Sequence, residues 1–122
     1  MPSTVLVVDD DSDLVRLVSR YLTLEGFAPV PAANGREALK YLQGGGAASV
    51  ILLDLRMPIM DGWTFRREQR ADPAIASIPV VVLSGIADVE GLQELGVAAA
   101  FNKPVSFPEV IGVVRKLANA AV

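Results

Sequence analysis

Four short runs of uninterrupted apolar residues punctuate the chain: Val5–Val8, Val50–Leu53, Val80–Leu83 and Ala98–Phe101. Each is too short for a helix, and the first three consist of β-branched residues and Leu. Continuous rather than alternating hydrophobicity predicts strands covered on both faces. Between the runs, apolar residues recur at helical spacing. Leu14, Val15, Val18, Tyr21 and Leu22 make one stripe, and Phe107, Val110, Ile111, Val114 and Leu117 make another; both predict amphipathic helices lying on a sheet. Asn34 with Glu37 and Ser106 with Glu109 match the reciprocal capping box, and Asp61 precedes Gly62, so helices are expected to begin after Asp11, Asn34, Asp61 and Ser106.

A fifth strand is expected from Phe27 to Ala32, where Pro29 and Pro31 remove two backbone donors on the same side. Such a strand can pair along one side only and belongs at an edge. Strand and helix alternate five times, which predicts a doubly wound parallel α/β sheet, flavodoxin-like, with helices on both faces. Placing the second strand at the edge favours the order 2-1-3-4-5. The winding then reverses between strands 1 and 3, and a ligand is expected in the crevice at the carboxyl ends of those strands. Gly44 to Ala48 reads as a flexible link before the third strand.

Composition narrows the chemistry. The 122 residues suit one domain spanning 1–122, and 52% hydrophobic residues exclude intrinsic disorder. A net charge of -3 carries no electrostatic footprint for nucleic acid or an anionic membrane. Cys and His are both absent, which removes disulfides, thiolate catalysis, zinc-thiolate sites, imidazole bases and a phospho-His carrier. No apolar run approaches the ~18 residues of a membrane span. The expectation is a cytoplasmic protein whose chemistry uses Asp, Glu, Lys, Ser or Thr.

The residues just after each run are Asp9, Asp10 and Asp11 after the first, Asp54 after the third strand, Ser84 after the fourth, and Lys103 followed by Pro104 after the last. Carboxylates packed in one crevice repel unless a cation joins them, and an all-oxygen set suits a hard ion such as Mg²⁺. Part of the acidic run has a plainer role, since a carboxylate before a helix caps it and favours its dipole. That account does not reach Asp54, which ends a buried strand where an unpartnered charge is costly.

The series Val7-Val8-Asp9-Asp10-Asp11, Leu53-Asp54-Leu55-Arg56-Met57-Pro58-Ile59-Met60-Asp61-Gly62, Leu83-Ser84-Gly85 and Asn102-Lys103-Pro104 resembles the receiver domain of two-component response regulators, in order and across essentially the whole chain. The resemblance implies a signalling module rather than an enzyme that turns over an external substrate. It makes Asp54 the acceptor of a phosphoryl group from a phospho-His on a sensor histidine kinase or His-phosphotransfer protein. It implies Mg²⁺ held by Asp10 and Asp54, by Asp9 mostly through water, and by the backbone carbonyl of Arg56. Ser84 and Lys103 would stabilise the phosphate, with Pro104 fixing the loop through a cis bond. A downstream protein would read the state. Pro58 and Asp61 are expected to shape the loop and cap helix 3, and Trp63 to pack. Phe65, Tyr21, Tyr41, Phe27 and Phe107 are expected in or against the core.

One departure stands out. Receivers carry a Tyr or Phe three residues before the Lys, and here that switch position is Ala100. Phe101 follows, but adjacent strand residues point to opposite faces, so it cannot substitute. The stretch from Ser84 to Lys103 is short for the family and holds Gly91 in its one helical pattern, Val89–Leu95, so helix 4 is expected to be short or irregular. Since helix 4, strand 5 and helix 5 form the family's usual output face, an atypical output follows. The alternative is a phosphorylation-independent interaction module on the same fold. A haloacid-dehalogenase-type phosphatase would need a second Asp where Arg56 stands, and no G-x-G-x-x-G or P-loop spacing supports nucleotide binding.

Overall fold

Alternate residues of the apolar runs face opposite ways, and each side finds its own helices. In the computed structural model, which describes residues 2–85 and 92–120, the strands are β1 (Thr4–Val8), β2 (Ala28–Ala32), β3 (Val50–Leu53), β4 (Val80–Ser84) and β5 (Ala99–Asn102). They alternate with α1 (Ser12–Leu24), α2 (Gly35–Gln43), α3 (Gly62–Ala71), α4 (Leu92–Leu95) and α5 (Phe107–Ala120). The strands form one parallel sheet in the order β2-β1-β3-β4-β5. Leu6, Val8, Ile51, Leu53, Val80 and Val82 pack with Ala38, Leu39 and Leu42 of α2, Phe65 of α3 and Leu95 of α4. Val5, Val7, Val50, Leu52, Val81 and Leu83 pack on the other face with Val18 and Leu22 of α1 and Val110, Ile111 and Val114 of α5. Burial on both sides is why these strands read as unbroken apolar runs.

The prolines set the edge as expected. The Ala28 N–H is spent inward on Ser3, at 2.9 Å, so Pro29 and Pro31 stand where outward donors would be. Caps start the helices. Asp11 accepts from the backbone N–H of Asp13 and Leu14 at 3.1 and 3.2 Å, and Asp61 from Thr64 at 2.8 Å. Asn34 accepts from Glu37 at 3.0 Å, while the Glu37 carboxylate reaches back to Ala33, one residue before the cap. Ser106 stands at the start of α5, its carbonyl accepting from Val110 at 3.1 Å.

Two expectations need adjustment, and a third lies partly outside the described residues. The stretch Gly44–Ala48 is a tied turn rather than a loose link: the Tyr41 hydroxyl donates to the Ala47 carbonyl at 2.7 Å, Gly46 N–H returns to the Tyr41 carbonyl at 2.9 Å, and a Cβ at Gly46 would strike the Tyr41 ring. The last strand begins and ends one residue later than the apolar run, because Asn102 still pairs with Ser84. The pattern Val89–Leu95 falls partly outside the described residues; its described part is one turn, Leu92–Leu95, closed by Gly96 at φ +62°. The aromatic residues lie as expected. Phe65 and Phe27 are buried, Tyr21 meets Phe107 at 5.3 Å between ring centres, and Trp63 packs against the α2–α3 side of the core.

Candidate functional site

The carboxyl ends of β1, β3 and β5 converge on one cluster. Asp9 follows β1 directly and is only 5% exposed; its Oδ1 accepts from the Asp11 N–H at 3.0 Å, which fixes the turn into α1. Asp10 beside it is exposed. Asp54 follows β3, and its N–H bonds the Val8 carbonyl at 2.9 Å, so the register between β1 and β3 carries both acidic ends to the same level. Carboxylate oxygens of Asp9, Asp10 and Asp54 lie within 4.8 Å of one another.

Lys103 enters from the far edge of the sheet. It follows β5, precedes a cis peptide bond to Pro104, and bonds the Ser84 carbonyl through its N–H at 2.8 Å. Its Nζ lies 2.9 Å from Asp9 Oδ2 and 3.4 Å from Asp54 Oδ1. Lys103 thus pairs with two of the three carboxylates. Burial lifts the Asp54 carboxyl to about pH 6, the negative charge of Asp9 adds to this, and Lys103 offsets only part. Burial alone would lower the Lys103 ammonium, but its hydrogen bond to Asp9 and the charges of Asp9 and Asp54 prevail and raise it.

The loop after β3 is shaped around Asp54. Gly62 passes so close that a Cβ there would land on the Asp54 carbonyl oxygen, so only glycine fits. Ile59 sits at φ +70° at the centre of a tight turn in which the Met60 N–H donates to the Pro58 carbonyl at 2.7 Å. The Met60 carbonyl in turn accepts from Gly35 at the start of α2, at 3.0 Å. Asp10, Arg56, Met57, Pro58, Asp61 and Trp63 line an open hollow of about 380 Å³ beside the acidic cluster. The Arg56 guanidinium lies over the Trp63 ring, 5.7 Å from its centre.

Ser84 ends β4 with its hydroxyl in a long 3.4 Å contact to the Gly85 carbonyl. Ala100 is exposed on the α4 side of β5, whereas Phe101 packs on the α1–α5 side, as strand alternation requires. Reading the sequence alone missed a buried polar group on α3. Arg66 and Gln69 are 7% and 0% exposed, and Arg66 bonds the carbonyls that end α4. A signal was available: α3 reads Gly-Trp-Thr-Phe-Arg-Arg-Glu-Gln-Arg-Ala, too few apolar residues to fill an inward stripe.

A doubly wound sheet with an acidic crevice and a lysine at its switch point defines a class of ligand-binding α/β modules, and the comparisons with known proteins narrow it. Residues 5–115 match the family model of the response regulator receiver domain. The chain belongs to that family, the receiver domains of two-component response regulators. It is 37% identical over 121 residues to the response regulator PleD of Caulobacter vibrioides, covering 96% of this chain and 26% of that one. It is 36% identical to the transcriptional regulatory protein CpxR homolog of Haemophilus influenzae, covering 94% of this chain and 50% of that one. The chain thus spans between a quarter and a half of these curated relatives. Among solved structures, a response regulator receiver protein from Pseudomonas putida superposes with a TM-score of 0.88 at 32% identity, covering 95% and 98% of the two chains. The chemotaxis response regulator CheY4 of Vibrio cholerae gives 0.85 at 28%, covering 96% and 99%. No helix among the described residues is long and apolar enough to cross a membrane.

Proposed function

We propose that the chain is a phosphoacceptor switch in which Asp54 takes a phosphoryl group from a phospho-His on a sensor histidine kinase or His-phosphotransfer protein in the cytoplasm. The observation that carries this reading is the Asp9–Asp10–Asp54 cluster closed on one side by Lys103. An Asp54 carboxylate oxygen attacks phosphorus, the nitrogen–phosphorus bond of the donor breaks, and the leaving imidazole takes up a proton. Phosphoryl transfer asks the protein for position and charge neutralisation more than for covalent work. Lys103, already 3.4 Å from Asp54, turns its ammonium to a phosphate oxygen. The Ser84 hydroxyl, loosely held at present, donates to another. Hydrolysis of the acyl phosphate by water resets the switch.

The donor set fits a hard divalent cation: carboxylates of Asp9, Asp10 and Asp54 close together, with no nitrogen or sulfur among them; the family resemblance adds the Arg56 backbone carbonyl. Mg²⁺ held there supplies charge neutralisation at the incoming phosphoryl oxygens. The output is a change in a protein-binding surface, and it is atypical because Ala100 offers no ring to swing inward. The exposed Ala100 also favours a second reading, a receiver fold that binds partners without being phosphorylated.

Intact mass after incubation with acetyl phosphate, with and without Mg²⁺, separates the two. One added phosphoryl group that needs Mg²⁺ and disappears in Asp54→Ala is the expected result. No addition under any condition leaves the interaction module standing in its place.

A further inference from the structure

The carboxyl end of α4 is held by α3 in an unusual way. Helix ends leave carbonyls without partners, and here three successive ones are taken by two guanidiniums. Arg70 Nη1 donates to the Glu94 carbonyl at 2.7 Å, Arg66 Nε to Leu95 at 2.9 Å, and Arg66 Nη2 to Gly96 at 3.0 Å. The remaining Arg66 nitrogen donates to Gln69 Oε1 at 2.7 Å. Gln69, fully buried, spends its amide on the carbonyls of Ile75 and Ile78 at 2.9 and 3.0 Å, which locks its orientation. Among the described residues the buried Arg66 cation therefore has neutral carbonyl oxygens for partners, and two of these three acceptors belong to the segment that closes α4.

That arrangement is close to all-or-none. Moving the end of α4 by more than a hydrogen-bond length strands a desolvated cation, which is far costlier than losing an ordinary surface contact. On its other side α4 faces β5 across an open groove of about 370 Å³ lined by Leu92, Gln93, Gly96, Val97, Ala99 and Ala100. Helix 4 is thus gripped from α3 and left with free space towards β5, where the missing ring would stand.

We infer that Arg66, assisted by Arg70 and oriented by Gln69, is a latch that holds α4 in the resting position and opposes phosphorylation at Asp54. The inference rests on the phosphoacceptor reading. In the phosphoacceptor reading the Ser84 hydroxyl donates to the phosphoryl group; Ser84 ends β4 and α4 is the next described element along the chain, so a Ser84 drawn towards Asp54 pulls against the α3 grip. By linkage, whatever stabilises the resting position lowers the tendency to take up the phosphoryl group, and its removal raises that tendency.

The test compares wild type, Arg66→Met and Arg70→Gln in their rates of phosphorylation by acetyl phosphate with Mg²⁺, read by intact mass, beside amide exchange over Leu92–Gly96. The latch predicts faster exchange at the end of α4 and a phosphorylation rate raised about five-fold in Arg66→Met, because the fraction of molecules in the reactive position rises by that factor, with a smaller rise in Arg70→Gln. A merely structural arginine predicts an unchanged or reduced rate, since loosened proteins do not react better, and that result overturns the latch. Arg70 is exposed, so its variant keeps the question answerable where Arg66→Met folds poorly. A wild type that takes up no phosphoryl group overturns the phosphoacceptor reading itself, and the latch with it. Phosphorylation of wild type without acceleration in either variant overturns the latch alone.

Discussion

Lys103 and Arg66 are both cations withdrawn from bulk water, yet the company each keeps differs. Lys103 stands 2.9 Å from Asp9 and 3.4 Å from Asp54, and it offsets only part of what burial and the charge of Asp9 do to Asp54, whose carboxyl is pushed up to about 6. Among the described residues Arg66 has no carboxylate partner, and each of its donor nitrogens is placed on a neutral oxygen; burial, and then the charge of Arg70, lower its guanidinium. The first cluster is electrostatically incomplete and holds a capacity to bind a cation and react. The second is complete within the chain and holds a shape. Buried charge therefore marks function by what it lacks, and marks architecture by what it has satisfied.

The contrast can be broken most forcefully at Gln69. Gln69→Leu keeps the volume but takes the Gln69 partner from an Arg66 nitrogen and from the Ile78 carbonyl, and leaves the Ile75 carbonyl only the long bond from the Ile78 N–H, with an expected loss of about 3 kcal/mol in urea denaturation. A loss below about 1 kcal/mol would mean that the α3 cluster is not the satisfied network described. The opposite sign is expected at Asp54. Its folded carboxyl keeps a proton up to about pH 6 while the unfolded one releases it near 3.8, so the folded state binds more protons between these values and stability falls as pH rises through that window. Asp54→Asn should therefore gain about 3 kcal/mol at pH 7 without metal, and the gain should shrink towards zero by pH 4. A variant that is less stable than wild type at pH 7 would contradict the frustration assigned to this cluster.

Filling the cluster should have a smaller effect. Mg²⁺ at ten times its dissociation constant should stabilise the wild type by about 1.4 kcal/mol, and Asp10→Asn should abolish that gain while leaving metal-free stability almost unchanged, because Asp10 is exposed. Thermal melts with and without the ion decide it. Smallest of all is Ile59→Gly. A β-branched residue at φ +70° and 73% exposed gains little from packing to offset its strain, and glycine there should add up to about 1 kcal/mol after its own entropy cost. An equal or lower melting temperature would show that Ile59 is held by contacts stronger than its exposure suggests.

Much of this was legible from residue order. The apolar runs named the strands because both faces are covered, and Pro29 with Pro31 named the edge because a missing donor is a topological statement. Asp9, Asp54 and Lys103 could be paired from sequence since each directly follows a strand, and parallel strands bring such positions to one end of the sheet. What escaped was held together by side chains reaching sideways. Arg66 and Gln69 have no periodic apolar signature; the backbone carbonyls that Arg66 bonds lie 29 and 30 residues away, and those that Gln69 bonds lie 6 and 9 residues on, past the end of its helix, which no local pattern encodes. Tyr41 tying Gly44–Ala48 escaped for the same reason: glycines and alanines suggested slack, and the hydroxyl that removes it lies on the preceding helix.

The alternating prolines of β2 also bear on how copies of this molecule can meet. That edge offers no outward N–H along its length, so no further strand can be added there. The opposite edge, β5, is paired on one side only and contains no proline. Two copies joined through β5 about a two-fold axis would present a sealed margin at each end of the merged sheet. Strand-mediated association is then self-terminating: it stops at a pair and cannot propagate into a fibre.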